Sequence, residues 1–415
     1  MQNNNWKRQF FPFWASQLIS IFGSALVQFT LIWWLTQETG SATVLATATL
    51  VGLLPTIIVQ PFAGAIVDRL SRKKVIIIAD ALIALATLGL GVLFFLDIAE
   101  VWHIYAVMLF RAIGGAFHYP AQMASVPLMV PDDQLSRIAG LNQAANGIIN
   151  IISAPLGALV LELIGVEGSL VIDVTTASLA VAIVSFIPIP RQQKLESRGE
   201  NWFRTILQDM KEGFNYLMSW KGLVVLTGLA LVFKMALSPA FSLIPLLVYK
   251  HLGGTAAQYS LVEVVAGVGI ILGGVLLGVW GGFKKRVYTM FTGAIGVGLG
   301  ILALGFLPQN RFSLILPPMF LIGFMIPIVD GPITAILQAR IDNEYQGRVM
   351  TIFGSLINLS GPIGLIAAGP VADALGLQVW FIAAGLLVIL SILYGAFNKH
   401  ILAMDTSPIN GAKPQ

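Results

Sequence analysis

The sequence predicts an all-α polytopic membrane protein, with twelve transmembrane helices in two six-helix halves and both termini in the cytoplasm. Composition is the first observation, because 57% of the 415 residues are hydrophobic and only 11% are charged. Globular domains in water are more charged and less apolar. The second observation is a division into about twelve apolar runs, since about 20 apolar residues suffice to cross a bilayer. The third is the uneven placement of the cations, which favours one orientation.

Polar residues, glycines and prolines separate the apolar runs. The predicted spans cover residues 10–36, 43–67, 75–96, 101–123, 138–164, 168–189, 222–249, 256–281, 287–307, 312–336, 347–372 and 376–398. The longest polar stretch divides them six and six. We therefore expect four segments: an N-terminal bundle at 1–190, a cytoplasmic linker at 191–220, a C-terminal bundle at 221–402 and a disordered cytoplasmic tail at 403–415. Helical spacing of apolar residues in the linker predicts an amphipathic helix lying on the inner leaflet.

The two predicted halves carry a weak internal repeat. Arg137 and Gly165 in the first half have the same spacing as Arg348 and Gly376 in the second. Glycine is frequent in all membrane helices, so any single match is weak evidence. Taken with the equal number of spans, the spacing favours a duplication, and a site between two such repeats.

Lysine and arginine residues define the predicted orientation. With the N-terminus inside, the 24 Lys and Arg residues all lie on the cytoplasmic side except Arg111, Lys234, Lys250 and Arg311. Lys7 and Arg8 precede the first span, which predicts an uncleaved anchor that starts inside. The net charge of +4 belongs to membrane-side loops and does not indicate a nucleic-acid partner.

The sequence offers little for enzymatic chemistry. It has no cysteine, which excludes disulfides, thiolate metal sites and cysteine nucleophiles, and its four histidines have no metal-ligand spacing. Walker and HExxH motifs are absent from the sequence, as is any recognisable catalytic dyad. We therefore expect no catalytic residues, no metal and no cofactor.

Polar side chains at helical spacing mark predicted spans one, five, seven and ten as walls of a cavity. Such side chains need partners or water inside a bilayer. The candidates for a substrate cavity, from spans one, five and seven, are Gln17, Ser24, Gln28, Asn142, Asn146, Asn150, Lys234 and Ser238. Hydrogen bonding between helices is the alternative explanation for the amides and hydroxyls.

Ionisable residues within spans are candidates for proton coupling, namely Arg111, Asp173, Glu263 and Asp330. An unpaired guanidinium near the middle of span four is costly, and a carboxyl partly removed from water is suited to carrying a proton. The alternative is that each acid pairs with a cation or reaches the interface. That alternative fits Asp80 and Asp330 well, because both are predicted near the inner face, and Lys234 is a possible counterion for one of the acids.

A charged loop between spans two and three is expected to control the conformation. It contains Gly64, Asp68, Arg69, Arg72 and Lys73, and we expect Gly64 to permit a close approach of two helices. The run from Gly64 to Lys74 resembles the signature loop of major facilitator superfamily transporters, with Ser71 in place of its second glycine. A solvated positive loop is the simpler alternative. Around Arg111, the run Arg-Ala-Ile-Gly resembles the span-four motif that the superfamily uses in proton coupling.

Read whole, the chain resembles the macrolide-efflux branch of the drug:proton antiporters. The resemblance includes Leu50–Pro55, Met210–Gly213 and Gly347–Val349, and it extends through span twelve. In span five Pro155 matches the antiporter motif, whereas Asn150 and Ala154 replace two of its glycines. The resemblance implies the major facilitator fold and a monomer in the bacterial cytoplasmic membrane. It also implies alternating-access export of amphiphilic drugs such as macrolides, driven by the proton gradient.

Other functions remain compatible with the same residues. A siderophore exporter, or a flippase or importer of lysophospholipid, would differ mainly in cargo and direction. A membrane-embedded enzyme or a non-transporting receptor is more remote, because the spans lack a catalytic motif and the loops lack a recognisable soluble module.

Overall fold

The computed structural model describes residues 6–67, 70–190 and 202–404, and the described part of the chain is helical without any strand. The helices are α1 Trp6–Thr39, α2 Ala42–Val67, α3 Arg72–Phe95, α4 Val101–Met129, α5 Leu135–Phe186, α6 Trp202–Ser219, α7 Lys221–Leu246, α8 Ala256–Trp280, α9 Arg286–Gly305, α10 Leu316–Arg340, α11 Asn343–Leu375, α12 Leu377–Phe397 and α13 Lys399–Leu402. Part of the predicted linker, 191–201, and most of the predicted tail, 405–415, lie outside the described residues.

The chain divides into two compact units. The first comprises Met1–Gly40 with Thr47–Glu196, and the second comprises Ser41–Ala46 with Ser197–Gln415. Within the first unit, α1 and α3 each pack against α4 and α5. Within the second, α10 packs against α8 and α9, α12 against α7 and α9, and α11 against α6 and α7. Each unit is therefore a helical bundle with its own interior.

Ten helices of the described residues are long and apolar enough to cross a membrane. One of them, α5, has 52 residues and contains a break at Gly165, where φ is 73° and ψ is −171°. The predicted fifth and sixth spans lie on either side of this break. Gly376, its counterpart in the predicted repeat, joins α11 to α12 and has φ 99°. Both positions need a backbone conformation that glycine adopts without a steric penalty.

Asp373 near the end of α11 caps the N-terminus of α2. Its carboxylate accepts hydrogen bonds from the Ser41 hydroxyl at 2.8 Å and from the backbone nitrogens of Ala42 at 2.7 Å and Thr43 at 2.9 Å. The first N–H groups of a helix lack partners within it, and an anion there also interacts favourably with the helix dipole. This cap accounts for the grouping of Ser41–Ala46 with the second unit.

The amphipathic helix expected in the linker is present as α6. Its inward face packs on the start of α11, where Glu212 and Arg348 form an ion pair at 2.7 Å. Tyr216 stacks on Tyr345 with ring centroids 4.9 Å apart, and burial raises the pKa of the Tyr216 phenol. On the opposite face, four residues apart, Met210, Phe214 and Met218 are exposed. That apolar face is suited to the membrane interface.

We expect Asp373→Ala to lower the free energy of unfolding by about 1 kcal/mol, because the first N–H groups of α2 lose a charged acceptor. Thermal unfolding of the purified protein in detergent measures the effect. Asp133→Ala is the matched control, since Asp133 is an exposed acid whose carboxylate accepts a hydrogen bond from the neighbouring Gln134 side chain. Equal midpoints for the two variants would contradict the assignment of Asp373 as a cap.

Candidate functional site

A buried ion pair lies at the centre of the first unit. Arg111 of α4 donates through Nη1 to Oδ2 of Asp173, which lies in α5 beyond the break at Gly165. The Asp173 side chain is fully buried, and that of Arg111 is 12% exposed. Each charge alone would be strongly destabilising inside a membrane bundle, so the pair neutralises both. Two proton-coupling candidates are thus brought together.

Two hydroxyl groups complete the hydrogen bonding of this pair. Ser24 of α1 donates to Asp173 Oδ1 at 3.0 Å, and Thr87 of α3 donates to Oδ2 at 3.1 Å. Arg111 Nη1 also donates to the Thr87 hydroxyl at 2.7 Å. A Cβ at Gly23 would lie 3.3 Å from the Cα of Asp173, so the missing side chain lets α1 approach this closely. We refer to Ser24, Thr87, Arg111 and Asp173 as the ion-pair layer.

A second polar cluster in the same unit contains Gln17, Asp80 and His118. His118 Nε2 lies 2.8 Å from Gln17 Oε1 and 3.2 Å from Asp80 Oδ1. Gln17, predicted to line a cavity, is fully buried in this cluster. Asp80 therefore lies beside an imidazole side chain. Neither His118 nor Thr87 is among the site residues predicted from the sequence. His118 lies seven residues after Arg111, which is one of them, and Thr87 lies seven residues after Asp80.

The other polar candidates of the first unit are more exposed. Asn142 accepts a short hydrogen bond from the indole nitrogen of Trp14. Asn146 is half-buried, and Gln28 and Asn150 are exposed. Gln28, Asn146 and Asn150 therefore remain available to solvent or ligand, in contrast to Gln17, Ser24 and Asn142, which bond to neighbouring helices.

The second unit contains a cavity of about 290 Å³. Its walls are mostly apolar, formed by side chains that include Leu226, Phe233, Met290, Phe353 and Ile357. Lys234 of α7 and Asp330 of α10 also line it, and their opposite charges attract each other. An apolar pocket with a few polar groups is typical of small-molecule sites.

The two remaining candidates in the second unit lie elsewhere on their helices. Glu263 of α8 is half-buried and accepts a hydrogen bond from the hydroxyl of Tyr259, one turn earlier. Ser238 of α7 packs on Gly361, where an added Cβ would lie 3.1 Å from its hydroxyl oxygen. The structure therefore places Glu263 beside a tyrosine hydroxyl and Ser238 in helix packing.

The charged loop is described only in part, because Asp68 and Arg69 lie outside the described residues. Arg72 donates to the backbone carbonyl of Ala124 in α4 at 2.8 Å, and Lys73 donates to that of Ser185 at the end of α5 at 2.7 Å. The close approach expected at Gly64 is wrong for the described residues, since a Cβ built there has no atom of another described helix within 4 Å. The two cations thus hold helix ends together.

Comparison with known proteins gives consistent relatives. The family model described as "Transmembrane secretion effector" matches residues 6–411. The chain is 36% identical over 386 residues to Macrolide efflux protein A of Streptococcus pyogenes, covering 93% of this chain and 95% of that protein. It is 28% identical over 392 residues to Multidrug efflux pump Tap of Mycolicibacterium fortuitum, covering 90% and 91%. The crystal structure of a D-xylose-proton symporter has a TM-score of 0.65 at 16% identity, covering 92% and 96%, and shows the fold alone.

We expect Asp173→Ala to be far more destabilising than Asp173→Asn. The alanine leaves the Arg111 guanidinium buried without a counterion, at a cost of about 3–5 kcal/mol, whereas the asparagine oxygen still accepts hydrogen bonds. Thermal unfolding in detergent, followed by tryptophan fluorescence, compares them. The double variant Asp173→Ala/Arg111→Met should recover part of the loss, and equal stability of the two single variants would show that the pair does not hold the bundle.

Proposed function

Because the chain belongs to the transmembrane secretion effector family of major facilitator superfamily transporters, we propose that it exports amphiphilic drugs such as macrolides in exchange for protons, by alternating access. Its efflux relatives, named above, support the cargo class. The single observation that carries the coupling is the fully buried Asp173, paired with Arg111. Macrolides as cargo, protons as the driving ion and the direction outward are all part of the proposal.

The proposal includes twelve spans with both termini in the cytoplasm of a bacterium. The break at Gly165 divides α5 into two membrane-length segments, which raises the ten candidate helices to eleven. The twelfth is α4, whose 29 residues exceed the roughly 20 needed to span a bilayer. The concentration of cations on one side supports the orientation. The segments are then a bundle at 1–190, a linker at 191–220, a bundle at 221–402 and a tail at 403–415, in a monomer.

Coupling requires a group whose charge changes during the cycle. When Asp173 binds a proton, Arg111 loses its counterion, and the attraction that joins α4 to α5 weakens. The hydroxyls of Ser24 and Thr87, which donate to Asp173 when it is ionised, can then donate to other acceptors. Protonation of one carboxyl thus changes the contacts among four helical segments, which is the differential interaction that a conformational change needs. Glu263 and Asp330 are further candidates for the carrier.

The cavity in the second unit supports an amphiphilic cargo. Phe233, Met290 and Phe353 offer apolar and aromatic surface, and Asp330 offers an anion for a drug amine. Lys234 balances Asp330 when no cationic drug is bound. We propose that this cavity contributes to the drug site.

We expect Asp173→Asn to abolish proton-coupled export while the protein stays folded. The test is accumulation of labelled erythromycin in drug-hypersensitive bacteria, with and without a protonophore. Wild-type cells should accumulate little drug until the protonophore is added, and Asp173→Asn cells should match the empty vector in both conditions. Retained export with normal pH dependence would remove Asp173 from the mechanism. If wild-type cells match the empty vector with the protein present in the membrane, siderophores and lysophospholipids become the cargoes to test.

We expect Thr334→Phe to weaken macrolide export several-fold by filling part of the cavity in the second unit. Thr334 lines this cavity but is itself exposed, so the larger side chain is tolerated without repacking the core. Thr292→Phe on α9 is the matched control, because Thr292 is exposed and does not line the cavity. Erythromycin resistance of expressing bacteria, normalised to membrane protein, gives the comparison. Equal resistance in the two variants would place the drug elsewhere.

A further inference from the structure

The cluster of Gln17, Asp80 and His118 has no role in the function proposed so far. Gln17 and Asp80 are almost completely buried, whereas the side chain of His118 is 12% exposed. Two buried atoms of the cluster, Asp80 Oδ2 and Gln17 Nε2, have no hydrogen-bond partner among the described residues. Proteins keep few such atoms, because an unsatisfied buried polar group is destabilising. A function in which this cluster gains and loses a hydrogen-bond donor would explain why the two atoms are left without partners.

The cluster repeats the ion-pair layer at an interval of seven residues. Each of three helices contributes one residue to each layer: Ser24 and Gln17 from α1, Thr87 and Asp80 from α3, and Arg111 and His118 from α4. Seven residues make two turns, or about 10 Å along a helix. The first unit therefore contains two stacked polar layers, each with one acid and one basic side chain.

Apolar packing separates these layers and closes the second one from below. Between them, Ile83 of α3 contacts α4 at Gly114, where a Cβ would lie 2.8 Å from Ile83 Cγ1. On the other side, a buried core that includes Phe13, Ile76 and Ala121 lies one turn further along α1, α3 and α4. The cluster of Asp80 and His118 is thus a distinct site, reached through the partly exposed imidazole.

We propose that the Asp80–His118 pair is a second proton-binding site, which loads and releases a proton in the same cycle as Asp173; this rests on the function proposed above. Nε2 of His118 faces two oxygen acceptors and so carries a hydrogen. The incoming proton binds Nδ1, giving an imidazolium–carboxylate pair, or binds Oδ2 of Asp80, leaving both groups neutral. In either case the pair gains one positive charge and one hydrogen-bond donor.

Few other ionisable groups act on this pair. On α3, the charged groups near the pair are Asp80, which is part of it, and Arg72 and Lys73. These two cations lie two turns away and donate to backbone carbonyls. From α4, Arg111 lies two turns away and is engaged by Asp173 of α5. The remaining ionisable residues on the packed helices lie at the ends of α1 and α4 or are exposed: Lys7, Arg8, Glu38, Lys74, His103, Tyr105, Tyr119, Arg137, Glu162 and Glu167. Within its described residues, α2 carries none.

Two proton sites make the exchange electrogenic. Erythromycin carries one positive charge on its amine at neutral pH, so exchange for one proton is electrically neutral and exchange for two moves net charge. A membrane potential should then drive export by the wild type but not by a variant that lacks the second site. A residue that only packs the bundle would slow transport without changing its response to the potential.

The experiment measures protons released when erythromycin is added to the full-length protein in weakly buffered detergent, followed with a pH-sensitive dye. If drug binding displaces protons, the number of protons released per bound drug equals the number of proton-binding sites that lose their proton. We expect Asp80→Asn and His118→Gln each to release about half as many protons per bound drug as the wild type. Asp173→Asn should also lose about half, and Asp173→Asn combined with His118→Gln should release none. His103→Gln is the matched control on the same helix, at the capped end where its ring accepts from the Glu100 nitrogen.

The outcomes distinguish this proposal from the function on which it rests. If Asp80→Asn and His118→Gln release as many protons as the wild type while Asp173→Asn releases none, the second site is wrong and the proposed coupling stands. If the wild type itself binds erythromycin without releasing protons, both are wrong. In proteoliposomes, an imposed potential that drives His118→Gln as strongly as the wild type would also overturn the second site, and this readout applies even if the asparagine variant at Asp80 does not fold.

Discussion

The neutralisation of charge inside a membrane bundle is the constraint on which the first unit depends. Arg111 lies in the middle of α4, where an unpaired guanidinium is strongly destabilising. Asp173 supplies the opposite charge, and the hydroxyls of Ser24 and Thr87 satisfy its remaining lone pairs. These bonds require that α1, α3, α4 and the later part of α5 present their polar side chains at the same level of the bundle. Gly23 lacks the side chain that would keep α1 away from Asp173. One ion pair therefore aligns four helical segments.

Much of the fold could be predicted from the sequence, because hydrophobic length and cation placement act locally. Gly165 and Gly376 are a specific case, since their equal spacing from an arginine favours a duplication, and both have positive φ. Arg111 and Asp173 were also selected, but not as partners. They are 62 residues apart, and their meeting depends on helix rotation and crossing angle, which hydrophobic periodicity does not determine.

The same limit explains the candidates whose surroundings in the structure differ from those predicted from the sequence. A close approach at Gly64 was expected from a local motif, which does not say which helix lies opposite. A single threonine or histidine in a membrane helix has many structural uses, so Thr87 and His118 stood out only when Asp173 and Asp80 were seen beside them. Gln17 and Gln28 belong to one polar stripe of α1, yet one is buried and the other exposed. The polar residues do follow one stripe, but the sequence alone does not show which of them contact neighbouring helices and which are exposed.

The shared faces of the helices give the two polar layers a mechanical relation. Arg111 and His118 lie on the same face of α4, two turns apart, and their acids lie on different segments, α5 and α3. A rotation of α4 that withdraws Arg111 from Asp173 also withdraws His118 from Asp80, because a helix turns as one body. Loss of the Arg111–Asp173 ion pair removes part of the resistance to that rotation, so a proton bound at Asp173 lowers the free energy needed to separate His118 from Asp80. Two carboxyls that do not touch are thereby coupled through a single helix.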